Sequence, residues 1–418
     1  MNSWNPMFND ICYVLDEYDK LVETGKCEKT IDFKNKLKGL EDNNIYYNKE
    51  VYDSLYIDQY YNLALFRYDT EKCSEEMWNS QDSMLREARS LVVDLEHREM
   101  ILTPFRKFFN LGEVEELSYD KIKKYIDECD KNDFMVYEKL DGSMQSFRYI
   151  KEKDYIIGSG SRTVNKSVSS RLKKGYSLLT NNHKKMIKDK PDYTFIFELI
   201  SSIDVHTIPY NYDEQEGLYL IGIRDVKTGN ELSPSRVEYV ANVYSVPTAK
   251  KYKMSTLDEL IDYTNNMELI DGEGFVVTIG DKCKFKIKSS EYLNMGKLFD
   301  NLGRKNAIIK LIADGNVDDY MSYINLNSEL KEAYEEIKYY DTYIRNEIDK
   351  YYNLLADLNI DKKSLMIEVN KVPKPIREWV RQKIFGNEVN ILKKKVKGYN
   401  KYNDLKNIFD NINKIGVR

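Results

Sequence analysis

The chain has 418 residues and a mass of 49.4 kDa, a length that predicts two or three domains. Hydrophobic residues make up 42% and charged residues 32% of it, which excludes collagen-like, mucin-like and wholly disordered chains. The net charge of −5 is unevenly spread, because residues 359–418 contain 15 Lys and Arg against 6 Asp and Glu. A basic C-terminal end on an acidic body indicates a contact with a polyanion or, for any one lysine, a solvated helix face.

The cysteines and histidines exclude several kinds of site. The five cysteines are odd in number and widely spaced, so we expect neither a disulfide framework nor a zinc site. With three histidines in all, chemistry based on His clusters has little support. The N-terminus has no basic region followed by an apolar run, and no apolar stretch is long enough to span a bilayer. We therefore expect a soluble protein of the cytoplasm that has no membrane contact.

The predicted elements change in kind along the chain. Residues 1–85 look mixed, with an amphipathic helix from Ile11 to Val22 and strand character near Leu65–Tyr68. From 86 to about 290 the pattern is one of short strands broken by turns. The strands are predicted at Ser90–Asp94, Phe134–Tyr137, Phe195–Leu199, Leu218–Ile223 and Phe275–Ile279, and the helices at Lys166–Lys188 and Thr256–Asn266. Because strands and helices do not alternate regularly, the pattern favours an α+β fold with largely antiparallel sheets.

The strand signals stop after about residue 295. A helical spacing of three, four and seven then places seven apolar or aromatic residues on one face of a long helix: Leu330, Tyr334, Ile337, Ile344, Ile348, Tyr351 and Leu355. Further helices are predicted at Ile376–Phe385 and Asn403–Ile412. We predict a mixed segment at 1–85, a strand-rich domain at 86–298 and an all-helical domain at 299–418.

The segment from Tyr137 to Ser143, with sequence YEKLDGS, carries the most information. Asp141-Gly142 between two apolar runs is typical of a β-hairpin turn. A turn at the end of a strand also presents Lys139 rigidly, and a glycine lets backbone approach a ligand closely. A lysine becomes a nucleophile when burial or neighbouring cations lower its pKa. The two interpretations are compatible.

Two other segments place charged groups beside strands. Glu273 precedes the strand at Phe275, and the period of two along residues 284–288 puts three lysines on one face, Lys284, Lys286 and Lys288. Three cations on one strand face indicate a polyphosphate partner or a solvated face. Upstream, residues 104–110 set Arg106 and Lys107 beside three aromatic residues, a pattern also expected of basic side chains at the edge of a core.

The order of these motifs resembles the covalent nucleotidyltransferases, which include ATP-dependent ligases and capping enzymes. Residues 139–143 are similar to motif I, 197–199 to motif III, 273–276 to motif IV and 286–288 to motif V. Residues 86–89 and 107–111 are similar to elements of the RNA ligase 1 family, the phage-type tRNA-repair ligases. That family usually has glycine after the arginine that matches Arg89, where this chain has Ser90. The resemblance implies a nucleotidyltransferase fold at 86–298, with 1–85 as its N-terminal part.

The resemblance also implies roles for individual residues. Lys139 would attack the α-phosphorus of ATP and hold AMP, with Lys286 and Lys288 neutralising charge there and lowering the pKa of Lys139. Asp141 would serve a later step. The ATP site would further include Arg89, Lys107, Phe109, Glu138, Gly142, Glu198 and Glu273. Of these, Arg89 and Lys107 would contact the outgoing phosphates or the RNA end. Glu273 and Glu198 would hold the adenosine ribose or a divalent metal, Mg²⁺ or Mn²⁺. Tyr292 is a weaker candidate. Arg162 matches a basic residue of the family's element after motif I and would contact RNA.

The helical end implies the type of substrate. DNA ligases and capping enzymes carry a strand-rich OB domain after motif V, whereas this chain becomes helical there. This favours an RNA ligase 1 type enzyme that joins 5′-phosphate and 3′-hydroxyl ends of tRNA-like or single-stranded RNA. Lys393, Lys394 and Lys395 would give sequence-independent phosphate contacts. The chain has no GxxxxGK[ST] motif, so end-healing by kinase and phosphatase would fall to a separate protein.

Three other functions remain open at this point. The first is a ligase for DNA ends or a general end-adenylylating enzyme, against which the lack of an OB domain argues. The second is a catalytically silent RNA-binding protein that keeps the fold, against which the intact Lys139, Glu273, Lys286 and Lys288 argue. The third is a structural or interaction protein with accidental motifs, which the ordered series of matches makes improbable.

Overall fold

A computed structural model of the chain describes residues 3–79, 84–130, 132–314, 317–326, 328–358, 360–387, 389, 391–392 and 402–416. The chain divides into two compact units, Met1–Tyr292 and Leu293–Arg418. The finer division that we predict at residue 85, and a boundary at 298, stay predictions. The α+β class with antiparallel sheets is confirmed, because each pair of neighbouring strands in the three sheets of the first unit is antiparallel.

The first sheet is a meander of consecutive strands packed on N-terminal helices. Its strands are β1 (Leu55–Tyr60), β2 (Leu63–Tyr68), β3 (Arg89–Asp94) and β4 (Glu99–Leu102). The helices before β1 are α1 (Pro6–Glu23), α2 (Phe33–Asp42) and α3 (Lys49–Asp53), and α4 (Glu75–Asn79) and α5 (Met84–Glu87) follow β2. Asn5 caps α1 by accepting a hydrogen bond from the amide of Phe8. Seven buried residues of α1 at helical spacing face the core, Met7, Phe8, Ile11, Val14, Leu15, Tyr18 and Leu21.

The second and third sheets carry the motif strands. The second sheet has the order β10 (Lys251–Tyr252), β5 (Phe134–Glu138), β11 (Gly274–Ile279) and β12 (Cys283–Lys288). The third has the order β7 (Tyr155–Ser159), β6 (Ser143–Ile150), β8 (Tyr193–Ile200) and β9 (Gly217–Asp225). The remaining helices of this unit are α6 (Tyr119–Glu128), α7 (Ser170–Leu178), α8 (Asn181–Asp189), α9 (Tyr212–Gln215), α10 (Pro234–Tyr244) and α11 (Leu257–Asn265).

Two local predictions were wrong. Asp141-Gly142 is not a hairpin turn, because β5 before it pairs in the second sheet and β6 after it pairs in the third. The segment from Lys166 to Lys188 forms two helices rather than one. The hydroxyl of Thr180 accepts the amide of His183 and so begins a new helix, α8.

The second unit is helical in its described part. Its helices are α12 (Ser290–Leu302, which begins before the boundary), α13 (Arg304–Asp314), α14 (Met321–Leu326), α15 (Ser328–Ala356), α16 (Lys362–Val369), α17 (Arg377–Ile384) and α18 (Tyr402–Gly416). The predicted long helix is α15. Leu330, Ile337, Ile344, Ile348 and Leu355 on its predicted face are buried. In the described part of the chain, no helix is both long enough and apolar enough to cross a membrane.

A β-bulge in the first sheet determines where Arg89 points. Phe66 pairs with Leu91, but the next residue, Arg67, pairs with Arg89, so Ser90 is the extra residue. Ser90 has a φ of 71°, a conformation that glycine adopts without strain. This explains why the family that the chain resembles usually has glycine here. In this chain the buried Ser90 hydroxyl donates to the carbonyl of Ser161 at 2.7 Å, which helps to hold the bulge.

We expect Ser90→Val to destabilise the first unit. A β-branched residue at positive φ costs about 1–3 kcal/mol, and the hydrogen bond to Ser161 is lost as well. The matched variant Ser90→Gly loses the same hydrogen bond but relieves the backbone. Thermal unfolding should therefore give a lower Tm for Ser90→Val than for Ser90→Gly, and equal Tm values would contradict the bulge geometry.

Candidate active site

A cavity of about 1000 Å³ lies between the second and third sheets. Its walls include side chains of both sheets and of the segment before β5. Of the predicted site residues it is lined by Arg89, Lys107, Phe109, Glu138, Lys139, Glu198, Lys286 and Lys288. Residues separated by up to 199 positions in the sequence are thus brought to one surface. The alternation of β12 that we predict places Lys286 and Lys288 on the cavity, with Phe285 buried on the opposite face.

A buried carboxylate joins two of the predicted lysines. The Nζ atom of Lys139 lies 2.7 Å from Oε2 of Glu273, and Nζ of Lys288 lies 2.8 Å from Oε1 of the same residue. Glu273 is 1% exposed. The Lys139 amide also donates to the carbonyl of Gly274 at 2.8 Å, so backbone and side chain fix the lysine against the start of β11.

Two glycines allow this close packing. A Cβ atom on Gly142 would lie 2.3 Å from the carbonyl oxygen of Leu199, so no larger residue fits between β6 and β8 there. Gly274 has a φ of 138°, and a Cβ atom on it would lie 2.1 Å from the carbonyl oxygen of Ile287. Both glycines are therefore required by the contact of neighbouring strands. Gly142 is not among the residues that line the cavity. Its role is to let the strands behind the cavity wall pack closely.

The charges of the cavity shift one another's pKa values. Burial lowers the pKa of Lys139, but Glu273, Glu198 and Asp141 outweigh burial, so that its pKa is raised. Our expectation that Lys286 and Lys288 help to lower it stays a prediction, because in the protein without a nucleotide the neighbouring carboxylates determine the net shift. Burial also raises the pKa of Glu273, but Lys139 and Lys288 reverse the effect and lower it. Lys139 and Glu273 thus stabilise each other in their charged forms.

The surroundings of Lys286 and Glu198 disfavour the charged forms of both side chains. Burial, followed by the charges of Arg89, Lys139 and Lys288, lowers the pKa of Lys286 to about 8. Burial raises the pKa of Glu198 to about 7, with Glu273 adding to it and Lys139 opposing it. Neighbouring charges do not fully neutralise either side chain. A cavity lined by such a cation and such a carboxylate is suited to a charged ligand.

Asp141 does not line the cavity. Its Oδ2 atom accepts the amides of Thr207 and Ile208 at 2.8 and 2.9 Å, and its Oδ1 accepts the hydroxyl of Tyr292 at 2.8 Å. Its own amide donates to the hydroxyl of Tyr210 at 2.8 Å. In this conformation Asp141 is a tether between the turn after Lys139 and the segment that follows β8.

Sequence reasoning named Tyr292 but missed the other partners of Asp141. Nδ1 of His206 lies 3.9 Å from its Oδ1, and Nε2 of His206 lies 3.3 Å from Asp204, whose other oxygen pairs with Arg171 at 2.7 Å. Tyr210 was missed as well. The signal available was weak, because an acidic residue, a histidine and a tyrosine in a loop are individually common.

Three other predicted site residues, Arg89, Lys107 and Phe109, each have different neighbours. Arg89 places its guanidinium 4.8 Å from the ring centre of Phe108. Lys107 places its ammonium 4.5–4.8 Å from the rings of Tyr68, Trp78 and Phe109. Phe109 is 2% exposed and belongs to the core, and its carbonyl accepts the amide of Lys286 at 3.0 Å. Its predicted packing on a nucleotide stays a prediction.

The remaining predicted residues lie elsewhere. The side chain of Glu138 accepts the amide of Lys250 at 2.7 Å at the edge of the cavity. Arg162 is exposed on the loop after β7 and does not line the cavity. Lys393, Lys394 and Lys395 lie outside the described residues.

Glu198 and Glu273 are the predicted metal ligands. Among the described residues, no group of three or more His, Cys, Asp and Glu residues forms a metal site. Mg²⁺ commonly uses one or two carboxylates together with phosphate oxygens of the substrate. Glu198 lines the cavity, and both oxygens of Glu273 pair with lysines, so the role of these two carboxylates as metal ligands stays a prediction.

Comparison with known proteins identifies the type of domain. Residues 87–292 match the family model described as "RNA ligase". The resemblance to the RNA ligase 1 family is confirmed. A protein of Thermovibrio ammonificans named "Putative RNA ligase" is 27% identical over 59% of this chain and 63% of its own length. A protein of Autographa californica nuclear polyhedrosis virus is named "Putative bifunctional polynucleotide kinase/RNA ligase". It is 26% identical over 59% of this chain and 36% of its own length.

Solved structures of the Naegleria gruberi RNA ligase are also similar to this chain. A mutant with ATP and Mn is 19% identical and covers 42% of this chain and 55% of that chain, with a TM-score of 0.34. Another mutant with ATP and Mn is 17% identical and covers 58% of this chain and 76% of that chain, with a TM-score of 0.35. Of the two named relatives in the previous comparison, the chain spans just under two thirds of the Thermovibrio protein and about a third of the viral protein.

The shifted pKa of Glu198 predicts a pH-dependent effect of Glu198→Gln. The folded protein holds the Glu198 proton up to about pH 7 whereas the unfolded chain releases it near 4.5. The stabilisation by this group is therefore complete below 4.5 and lost as the pH rises to 7. Glutamine mimics the protonated form, so without metal or nucleotide the Tm difference between variant and wild type should increase from pH 5 to pH 8.

The size of that increase should be several degrees, since 1 kcal/mol moves the Tm of a large domain by about 2–4 °C. The exposed Glu152→Gln is the control, because that side chain lies at the surface. A Tm difference for Glu198→Gln that is the same at pH 5 and pH 8 would contradict the assignment.

Proposed function

We propose that this protein is an ATP-dependent RNA ligase that joins 5′-phosphate and 3′-hydroxyl ends through a lysyl-AMP intermediate and an RNA-adenylate. The observation that carries the proposal is the contact of Lys139 with the buried Glu273, which Lys288 shares, within the segment that matches the RNA ligase model. The names of the two curated relatives support an RNA substrate. Repair of broken tRNA or other single-stranded RNA is the biological role we propose.

The first step is attack by Lys139 on the α-phosphorus of ATP. A P–N bond forms, the bond to pyrophosphate breaks and the amine loses its proton. Because the pKa of Lys139 is raised in the free protein, the nucleotide must weaken its pairing with Glu273 before the amine becomes a nucleophile. Lys286, Lys288 and Arg89 bring positive charge to the phosphates, where positioning and neutralisation provide most of the catalysis.

The later steps use the same groups. AMP passes from Lys139 to the RNA 5′-phosphate, and the 3′-hydroxyl then displaces AMP. Glu198 and Glu273 would hold Mg²⁺ or Mn²⁺, which when bound neutralises charge on the phosphate oxygens. Asp141 holds the segment around Thr207 and Ile208 against the turn after Lys139, and this tether orients the lysine.

Lys139→Ala should abolish covalent labelling by ATP. Wild type, Lys139→Ala and the exposed control Lys227→Ala, each freed of pre-bound AMP, are incubated with [α-³²P]ATP and Mg²⁺ and separated on a denaturing gel. We expect label on wild type and control, its removal by pyrophosphate, and no label on Lys139→Ala. A wild type that takes no label would overturn the ligase mechanism and favour a silent RNA-binding protein.

The ends of the substrate provide a second prediction. With ATP and Mg²⁺, single-stranded RNA with a 5′-phosphate should be joined, whereas the same RNA with a 5′-hydroxyl should stay unjoined until a polynucleotide kinase is added. A 5′-phosphorylated DNA strand of the same sequence is the comparison. Faster joining of DNA than of RNA would contradict the RNA assignment and favour the DNA-end alternative.

A further inference from the structure

A row of charged and aromatic side chains crosses the first sheet at its end nearest the cavity. Tyr56 of β1 lies opposite Arg67 of β2, and Arg67 lies opposite Arg89 of β3. Residues directly opposite each other in antiparallel strands point to the same face. The three side chains therefore form one row, and the bulge at Ser90 is what turns Arg89 onto this face.

A loop of the third sheet adds another arginine to this row. The carbonyl of Ser161 accepts hydrogen bonds from Nη1 of Arg67 at 3.0 Å and from the Ser90 hydroxyl at 2.7 Å. The next residue, Arg162, places its guanidinium 5.9 Å from the ring centre of Tyr56. We call Arg89, Arg67, Arg162 and Tyr56 the arginine stripe.

The arginines of the stripe lack acidic partners. Within the described residues, no carboxylate oxygen lies within 4.0 Å of Arg67, Arg89 or Arg162. Burial, with smaller contributions from Arg89 and Arg162, lowers the pKa of Arg67, while Tyr68 and Asp69 partly offset it. Elsewhere in the unit a buried arginine is neutralised, as Arg224 is by Glu87 at 2.8 Å. Neighbouring cations without such partners favour a polyanion.

We propose that the arginine stripe binds the first nucleotides of a single-stranded RNA substrate, on the strand that carries the 5′-phosphate. Phosphates would contact the guanidinium groups, and one base would stack on Tyr56, whose side chain is 41% exposed. Arg89 also lines the cavity that contains Lys139, so the stripe leads from the reactive lysine to the edge of the sheet. At a strand spacing of about 4.8 Å, it extends about 10 Å from Arg89 to Tyr56. The proposal rests on the proposed ligase function.

The test is binding of a 5′-phosphorylated single-stranded RNA, labelled at its 3′ end, to the full chain by fluorescence anisotropy at several salt concentrations. Arg162→Ala should lower the slope of log K against log salt by about 0.7 and weaken binding about fivefold at 0.1 M salt. Tyr56→Ala should weaken binding about fivefold or more through lost stacking.

The chain offers a matched control pair. Arg236 lies with its guanidinium 4.7 Å from the ring centre of Tyr239, and both are exposed on α10, a helix that contributes no residue to the stripe. Arg236→Ala and Tyr239→Ala should bind RNA as the wild type does. Because Arg67 also holds the Ser161 loop, Arg67→Ala is compared with Arg67→Lys, which keeps the charge, and Arg162→Glu reverses a charge without disturbing a buried contact.

The outcomes are distinct. Wild-type affinity and salt slope for both Arg162→Glu and Tyr56→Ala would overturn the proposal. An equal loss for Tyr56→Ala on a blunt RNA duplex, where no base is free to stack, would overturn the single-strand assignment. If the wild type fails to label itself with ATP while these variants still weaken RNA binding, the ligase function fails and the binding surface stands.

Discussion

The buried carboxylate of Glu273 is the contact on which the candidate site depends. It accepts Lys139 on one oxygen and Lys288 on the other, and at 1% exposure it has little access to water. Removing one partner of such a buried pair commonly costs about 3–5 kcal/mol, because a charge is left uncompensated. The two lysines come from the segment after β5 and from the end of β12, so the carboxylate joins segments about 150 residues apart. It also favours the charged form of Lys139 in the protein without a ligand.

A second constraint acts in the first sheet. The extra residue of the bulge, Ser90, turns Arg89 toward both the cavity and the face shared with Arg67. A regular ladder would place Arg67 opposite Ser90 and direct Arg89 to the other face, since one step along a strand reverses the side of the sheet. One backbone conformation, with φ of 71°, therefore decides whether Arg89 lines the cavity.

Features carried by consecutive residues could be predicted from the sequence. The motif segments, the strand pattern of β12 and the apolar face of α15 each depend on local order, and their periods are visible directly. The cavity-lining positions of Lys139, Lys286, Lys288 and Glu198 followed from matching those segments to a known pattern. The tether from Asp141 to Thr207 and Ile208 could not be predicted, because it joins backbone amides that carry no sequence signal. The hairpin prediction at Gly142 failed for a similar reason, since pairing with distant strands overrode the local turn preference.

The four residues from Lys139 to Gly142 are also the direct covalent link between the second and third sheets, whose strands β5 and β6 they join. The cavity lies between these same sheets. A rotation of one sheet against the other would therefore change the torsion angles of the peptide that bears Lys139. A ligand that contacted both walls would restrict those angles and, with them, the direction of the lysine side chain. The width of the cleft and the direction of Lys139 are thus coupled through one short segment.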